Sequence, residues 1–318
     1  MKMQPPLYRS LLALLLLCCS CSKKNDNPGP DNGGANRNYG AGVIYYDWAN
    51  DGILKFKLQN GTISVQRQHT SGDNGWDISL DGTKMLQSID NPDDYDSEIY
   101  MLMNVADGTV VSKFVRQSGY ASHTHPLLSP DMQLIAVPPT FDDGLIVLDT
   151  KGKILYNLTT YQGKKIEGNV NWMPDKTLVF SIGNNLYRTN STFTQGTLVK
   201  TFSFSEWGYL SVSRDGSKMA LAANNHIWMM NADGSNLVQV TSSDNVEIMP
   251  LFSPDGKYLL VGTNYRATGP YSHIWNMAVI PADGRRYNVN EGADGNVVPL
   301  VKQGGDSPET CDEEMCWR

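Results

Sequence analysis

An aspartate-centred phrase returns five times along the chain: DISLDGTKMLQ around Asp81, LLSPDMQLIAV around Asp131, NWMPDKTLVFS around Asp175, SVSRDGSKMAL around Asp215 and LFSPDGKYLLV around Asp255. The intervals between these aspartates are 50, 44, 40 and 40 residues, a period that marks a repeated supersecondary unit. The unit is clearest over 209–241, where YLSVS alternates, RDG turns, SKMALAA forms an apolar run, NN breaks it, HIWMMN forms a third strand, ADGS turns again and NLVQVT forms a fourth. Asp-Gly pairs suit tight hairpins because the central positions need positive φ, which glycine and aspartate tolerate best. The second hairpin recurs as NVADGT, DTKGK, NADGS and IPADGR.

Four antiparallel strands in each unit of about 40–50 residues is the content of a β-propeller blade. No helical periodicity of useful length follows the N-terminal apolar run. The ends of the repeat region supply one more blade. Residues 42–67 hold three strands with a turn at Asn60-Gly61, and no motif strand precedes them, whereas NVVPLVKQ carries Pro299 where Pro126 and Pro250 stand in other units. The expectation is an all-β, six-bladed propeller of four-stranded antiparallel blades, closed by pairing N- and C-terminal strands, with the last inner strand near 297–302. The domain reading is 1–20 leader, 21–38 flexible tether, 39–303 propeller and 304–318 tail.

The units resemble the WD40-like (PD40) repeats of TolB-type periplasmic propellers, through LFSPDGKYLL and HIWMMNADGSNLVQVT, over roughly 42–302. Met132 and Lys176 stand where the motif has glycine, so those two turns are expected to differ. The resemblance implies a scaffold, and a propeller hosts binding modules and enzymes alike.

The N-terminus reads as an address. Lys2 and Arg9 flank an apolar run from Leu11 to Leu17, too short to span a bilayer and laid out like a secretory signal. Ser20 before Cys21 resembles the lipobox of bacterial lipoproteins, with Cys18 in place of the usual leucine. That resemblance makes Cys21 the lipidation site and attaches the chain to a membrane through its N-terminal lipid, as an outer-membrane lipoprotein facing the periplasm or the cell surface. An ordinary secreted protein is the alternative. The segment SKKNDNPGPDNGGANRN has few groups to bury and reads as a tether. Cys311 and Cys316 remain, as a disulfide, a weak metal site with the acidic residues between them, or free thiols.

A net charge of -7 offers no basic stripe for a phosphate backbone, so nucleic acid is not an expected partner. No GxSxG elbow or HExxH motif occurs. The candidate site is therefore the ring of positions at the start of each inner strand, eight residues before each motif aspartate: Asp73, His123, Glu167, Trp207 and Glu247, with Asn296 in the closing strand. His125 shares a face with His123 if the segment is extended. Carboxylates and imidazoles around one opening suit a divalent ion such as Mn²⁺ or Ca²⁺, with His123, His125 and Glu247 as ligands, or a basic peptide. A plain polar rim is the other reading.

His226 and His273 precede IW at strand starts and read as packing, Trp228, Trp275 and Tyr100 read as core between blades, and His69 reads as exposed. Loops at 90–98 and around Tyr265, Arg266 and Tyr271 either recognise a partner or are simply solvated. Two functions follow: a non-catalytic, lipid-anchored envelope propeller that binds a protein or glycan, or a metal-assisted carbohydrate-active enzyme of the polysaccharide-lyase kind.

Overall fold

The alternation of the N-terminal strand shows how the chain builds its core. In Val43–Trp48, Ile44 and Tyr46 pack to one side and Tyr45 to the other, as period-two side chains must. A computed structural model describes residues 40–117, 124–139, 144–166 and 168–318. All of them lie within one compact unit, 34–318.

Six four-stranded antiparallel sheets form the blades of a propeller. Blade 2 runs Asp73–Ile78, Lys84–Asp90, Ser97–Asn104 and Val110–Gln117. Blades 3, 4 and 5 repeat this order, opening on Leu127–Leu128, Val170–Trp172 and Trp207–Val212. Blade 6 opens on Val246–Phe252, and its outer position is shared by Val298–Pro299 and Thr310–Cys311, both paired with His273–Pro281.

Blade 1 closes the ring, and here the expected register is corrected. Its inner strand is Met315–Trp317, paired antiparallel with Ile44–Tyr46, and not a segment near 297–302. Arg318 extends the pairing, because its N–H donates to Val43 O at 2.8 Å. Residues 304–318 are therefore structural, and 298–299 belong to the outer edge of blade 6.

Six apolar clusters fill the six seams between neighbouring blades. The seam between blades 6 and 1 holds Trp275, Cys311 and Trp317, and the seam between blades 1 and 2 holds Tyr45, Trp76 and Cys316. The two cysteines thus lie on opposite sides of blade 1. Both are buried free thiols, which corrects the disulfide reading: Cys311 pairs onto blade 6 and Cys316 onto blade 1, and each is buried in a different seam.

Antiparallel order places the motif turns and the Asp-Gly hairpins on one face of the disc, and the longer connections on the other. The loop face carries 68–72, 91–96, 268–272 and 312–314, and it positions the candidate site.

Candidate functional site

On the loop face, Asp47 ends the second strand of blade 1, Asp73 begins blade 2, and the segment before Met315 supplies Asp312, Glu313 and Glu314. His69 stands between the first two carboxylates, with Nε2 3.3 Å from Asp47 Oδ1 and Nδ1 3.4 Å from Asp73 Oδ2. Asp47 Oδ2 accepts Trp76 Nε1–H at 2.8 Å and Glu314 N–H at 3.1 Å. Glu314 Oε2 accepts Trp76 N–H at 3.1 Å, and its other oxygen pairs with His125 Nδ1. The result is a continuous network, Asp73–His69–Asp47–Glu314–His125, that crosses from blade 1 to the entry of blade 3.

Its electrostatics follow from this geometry. The Asp47 carboxylate beside it raises the His69 pKa to about 9, and the charge of Glu314 raises that of His125 to about 9. Burial raises Asp47 and Asp312 above their ordinary carboxylate values. Both imidazoles are held as cations by carboxylates, so neither stands as a free general base. Glu313 is exposed, and five carboxylates face two imidazoles, which leaves the mouth net acidic.

Glu247 begins the inner strand of blade 6, as the repeat predicts, but its side chain is fully buried. It accepts from His226 Nδ1 at 3.0 Å and from the hydroxyls of Thr241 and Ser243, in the seam between blades 5 and 6. A second buried carboxylate, Glu98, accepts Asn74 Nδ2–H at 3.0 Å, Thr124 N–H at 2.9 Å and Thr124 Oγ1–H at 2.7 Å, with Arg116 at 3.3 Å. It ties the loop before His125 to blade 2.

The expected ring is therefore split. Asp73 and His125 join one network, Glu247 points into a seam, and His123 and Glu167 lie outside the described residues. Trp207 packs at a tilt on Phe202 with centroids 4.5 Å apart, and exposed Asn296 donates to Asp294, outside the closing strand. Among the described residues no group of three or more His, Cys, Asp or Glu side chains is arranged to hold a metal ion. Of the expected metal ligands His123, His125 and Glu247, His125 pairs with Glu314 and Glu247 with His226.

The sequence reading missed Asp47, took His69 as exposed and placed Glu314 only in a weak metal site with the two cysteines. The alternation of Met315 and Trp317 in EEMCWR was the available sign that this acidic stretch leads into a strand. His226 is more than packing, since it holds Glu247, whereas Tyr100 and Trp275 are buried seam residues as expected. Of the loop aromatics, Tyr271 and Tyr95 are 96% and 75% exposed, while Tyr265 stacks on His273 at 5.0 Å.

At the axis, a cavity of about 250 Å³ is lined by inner strands of all six blades. Arg318 reaches into it, donating to Asp77 Oδ1 at 2.8 Å and to Ile78 O at 2.5 Å. Asp77 Oδ2 also accepts Leu128 N–H at 2.8 Å, so this pair links blades 1, 2 and 3 around the channel.

No family model matches the chain. A TolB homolog of Chlorobaculum tepidum is 37% identical over 68 residues, which are 21% of this chain and 14% of that protein. TolB from Acinetobacter baumannii has a TM-score of 0.59 at 17% identity, covering 87% of this chain and 66% of that one. A putative TolB from Agrobacterium tumefaciens has a TM-score of 0.54 at 15% identity, covering 87% and 98%. A chain from the crystal structure of the nidogen/laminin complex has a TM-score of 0.56 at 11% identity, covering 76% and 90%. Six blades and the hairpin repeated through them make the chain a six-bladed β-propeller, similar in fold to TolB proteins and similar to a TolB homolog in sequence over 68 residues.

Proposed function

We propose that the protein is a non-catalytic binding module of the cell envelope, tethered by a lipid on Cys21, whose loop-face mouth takes a basic segment of a partner protein. The observation that carries this reading is the Asp73–His69–Asp47–Glu314–His125 network. It fixes the side chains of the mouth before any partner arrives, which lowers the ordering cost of binding. Its unspent charge, at Glu313 and Asp51 on the exposed rim, is negative and suits a cationic partner. The TolB proteins of similar fold favour an envelope location, and one similarly folded chain is crystallised in a complex named for two proteins.

Two experiments test this reading. Cys21→Ala moves the protein from the membrane fraction to the soluble fraction of cells; retention in the membrane contradicts the anchor. Asp51→Lys with Glu313→Lys weakens binding of a fluorescent lysine-rich peptide, read by anisotropy, by about tenfold at low salt. An equal loss from Asp255→Lys, on the opposite face, contradicts a loop-face site.

A further inference from the structure

Blade 6 departs from its siblings after its second hairpin. In blade 5 the turn at Asp233-Gly234 leads directly to the outer strand Val238–Gln239. In blade 6 the chain leaves the turn at Asp283-Gly284 and pairs Tyr287–Asn288 in parallel with Thr241–Ser242 of blade 5, returning to its own sheet only at Val298–Pro299. The excursion is pinned by backbone: Tyr287 N–H donates to Val240 O at 3.0 Å and Val289 N–H to Ser242 O at 2.9 Å. Asn290 Nδ2–H donates to Asp244 Oδ2 at 3.2 Å. Between this excursion and the third strand of the blade lies a cavity of about 230 Å³.

We infer that this cavity is a saccharide-binding pocket for a small neutral sugar, separate from the loop-face mouth. Its apolar floor, as far as a ligand can reach it, is half-buried Val297, Pro299 and Pro308. Its walls carry primary amides with unspent hydrogen-bonding groups. The side chains of half-buried Asn264 and of Asn245 at the exposed rim make no hydrogen bond among the described residues. Asn276 spends only Oδ1, on Arg266 Nη1–H at 3.2 Å, leaving its two Nδ2 donors. An amide offers both donors and acceptors, which is what a hydroxyl group requires, and an apolar floor suits the C–H face of a sugar ring.

No lysine or arginine lines the cavity, so an anionic ligand has no counter-charge there, and Glu291 at the exposed edge is its one carboxylate. Asn264 holds a left-handed backbone at φ 53, a conformation asparagine accepts more readily than most residues. That conformation belongs to the strand irregularity between Thr263 and Arg266, where the blade pairs out of register beside the cavity.

The test uses the mature protein with cellobiose, maltose and N,N′-diacetylchitobiose as probes, read by saturation-transfer NMR and calorimetry. At least one disaccharide binds, with a dissociation constant on the order of 1 mM. Asn264→Gly keeps the left-handed backbone and removes the amide, and Asn245→Trp fills the rim from an exposed position. Each weakens binding about tenfold or more at an unchanged thermal midpoint. If one variant lowers the midpoint, the other decides. Binding of none of the three sugars, or binding that survives the variants, overturns the pocket. Glu313→Lys leaves sugar binding unchanged, so failure here and failure of the mouth reading are read separately.

Discussion

Ser79 and Asp81 show what the repeated aspartate does. The Ser79 hydroxyl donates to Asp81 Oδ1 at 2.6 Å, that oxygen accepts Thr83 N–H at 3.0 Å, and Ser79 Oγ accepts Lys84 N–H at 2.9 Å. Ser129, Ser213 and Ser253 make the same bond to Asp131, Asp215 and Asp255 at 2.7–2.8 Å. In blade 4, where Met173 replaces the serine, Thr189 Oγ1 accepts Leu178 N–H instead. The turns at Met132 and Lys176 were expected to differ from the glycine turns, yet their φ of 60 and 66 matches the 70 of Gly256. The motif imposes the left-handed residue whether or not glycine supplies it. Gly256→Ala therefore costs about 1 kcal/mol in urea denaturation, since its Cβ meets nothing within 4 Å and only the backbone penalty remains. Gly75→Ala costs roughly 2–3 kcal/mol, because its Cβ falls 2.7 Å from His125 Cα and 2.8 Å from Thr124 O, where backbone must move. Equal costs contradict this placement of the His125 loop. These turns are legible in the sequence because their bonds close within five residues; His69 is not, because its partner Asp47 comes from an earlier strand, Val43–Trp48. The folded pKa values of His69 and His125, about 9 against an ordinary 6.5, make the protonated forms stabilising. That stability is complete below about pH 6.5 and is lost as pH rises towards 9, while His125, 47% exposed, contributes less than its shift suggests. The thermal midpoint of His69→Gln falls less than that of the wild type over this window; an identical fall in both contradicts the Asp47–His69–Asp73 bridge.

Met315–Trp317, an inner strand of only three residues, has the largest consequence. It inserts Met315 and Trp317 into one seam and Cys316 into the next, and Arg318 continues it into the channel. The repeat could not reveal it, because three residues in an acidic, cysteine-bearing stretch carry no motif aspartate. Pro299 drew the inner-strand assignment to 297–302, since proline recurs at the same offset in other units, but an outer edge tolerates proline equally well. Ending the chain after Glu309 leaves blade 1 with an unpaired edge and opens two seams, and lowers the thermal midpoint by on the order of 10 °C. A truncated protein that melts with the wild type contradicts the closure. Arg318→Ala leaves the largely buried Asp77 without its cation and costs on the order of 2 kcal/mol, below the roughly 3–5 kcal/mol of a fully buried pair.

At the scale of the molecule, six seams run round a closed disc and leave no blade without two packed neighbours. The segment that seals the ring also carries Glu313 and Glu314 to the mouth, so closure and the acidic site form together. Architecture was readable from period and hairpin content, because each blade repeats the same local rules. The mouth was readable only in part, since its carboxylates converge from strands that sequence separation hides. The most direct test of a loop-face binding module is site-specific photo-cross-linking in intact cells, with the reactive residue placed at Glu313 on the loop face and at Lys257 on the turn face. The predicted result is a discrete protein adduct from position 313, lost on adding Asp51→Lys, and none from position 257; adducts from 257 alone, or equally from both, contradict it.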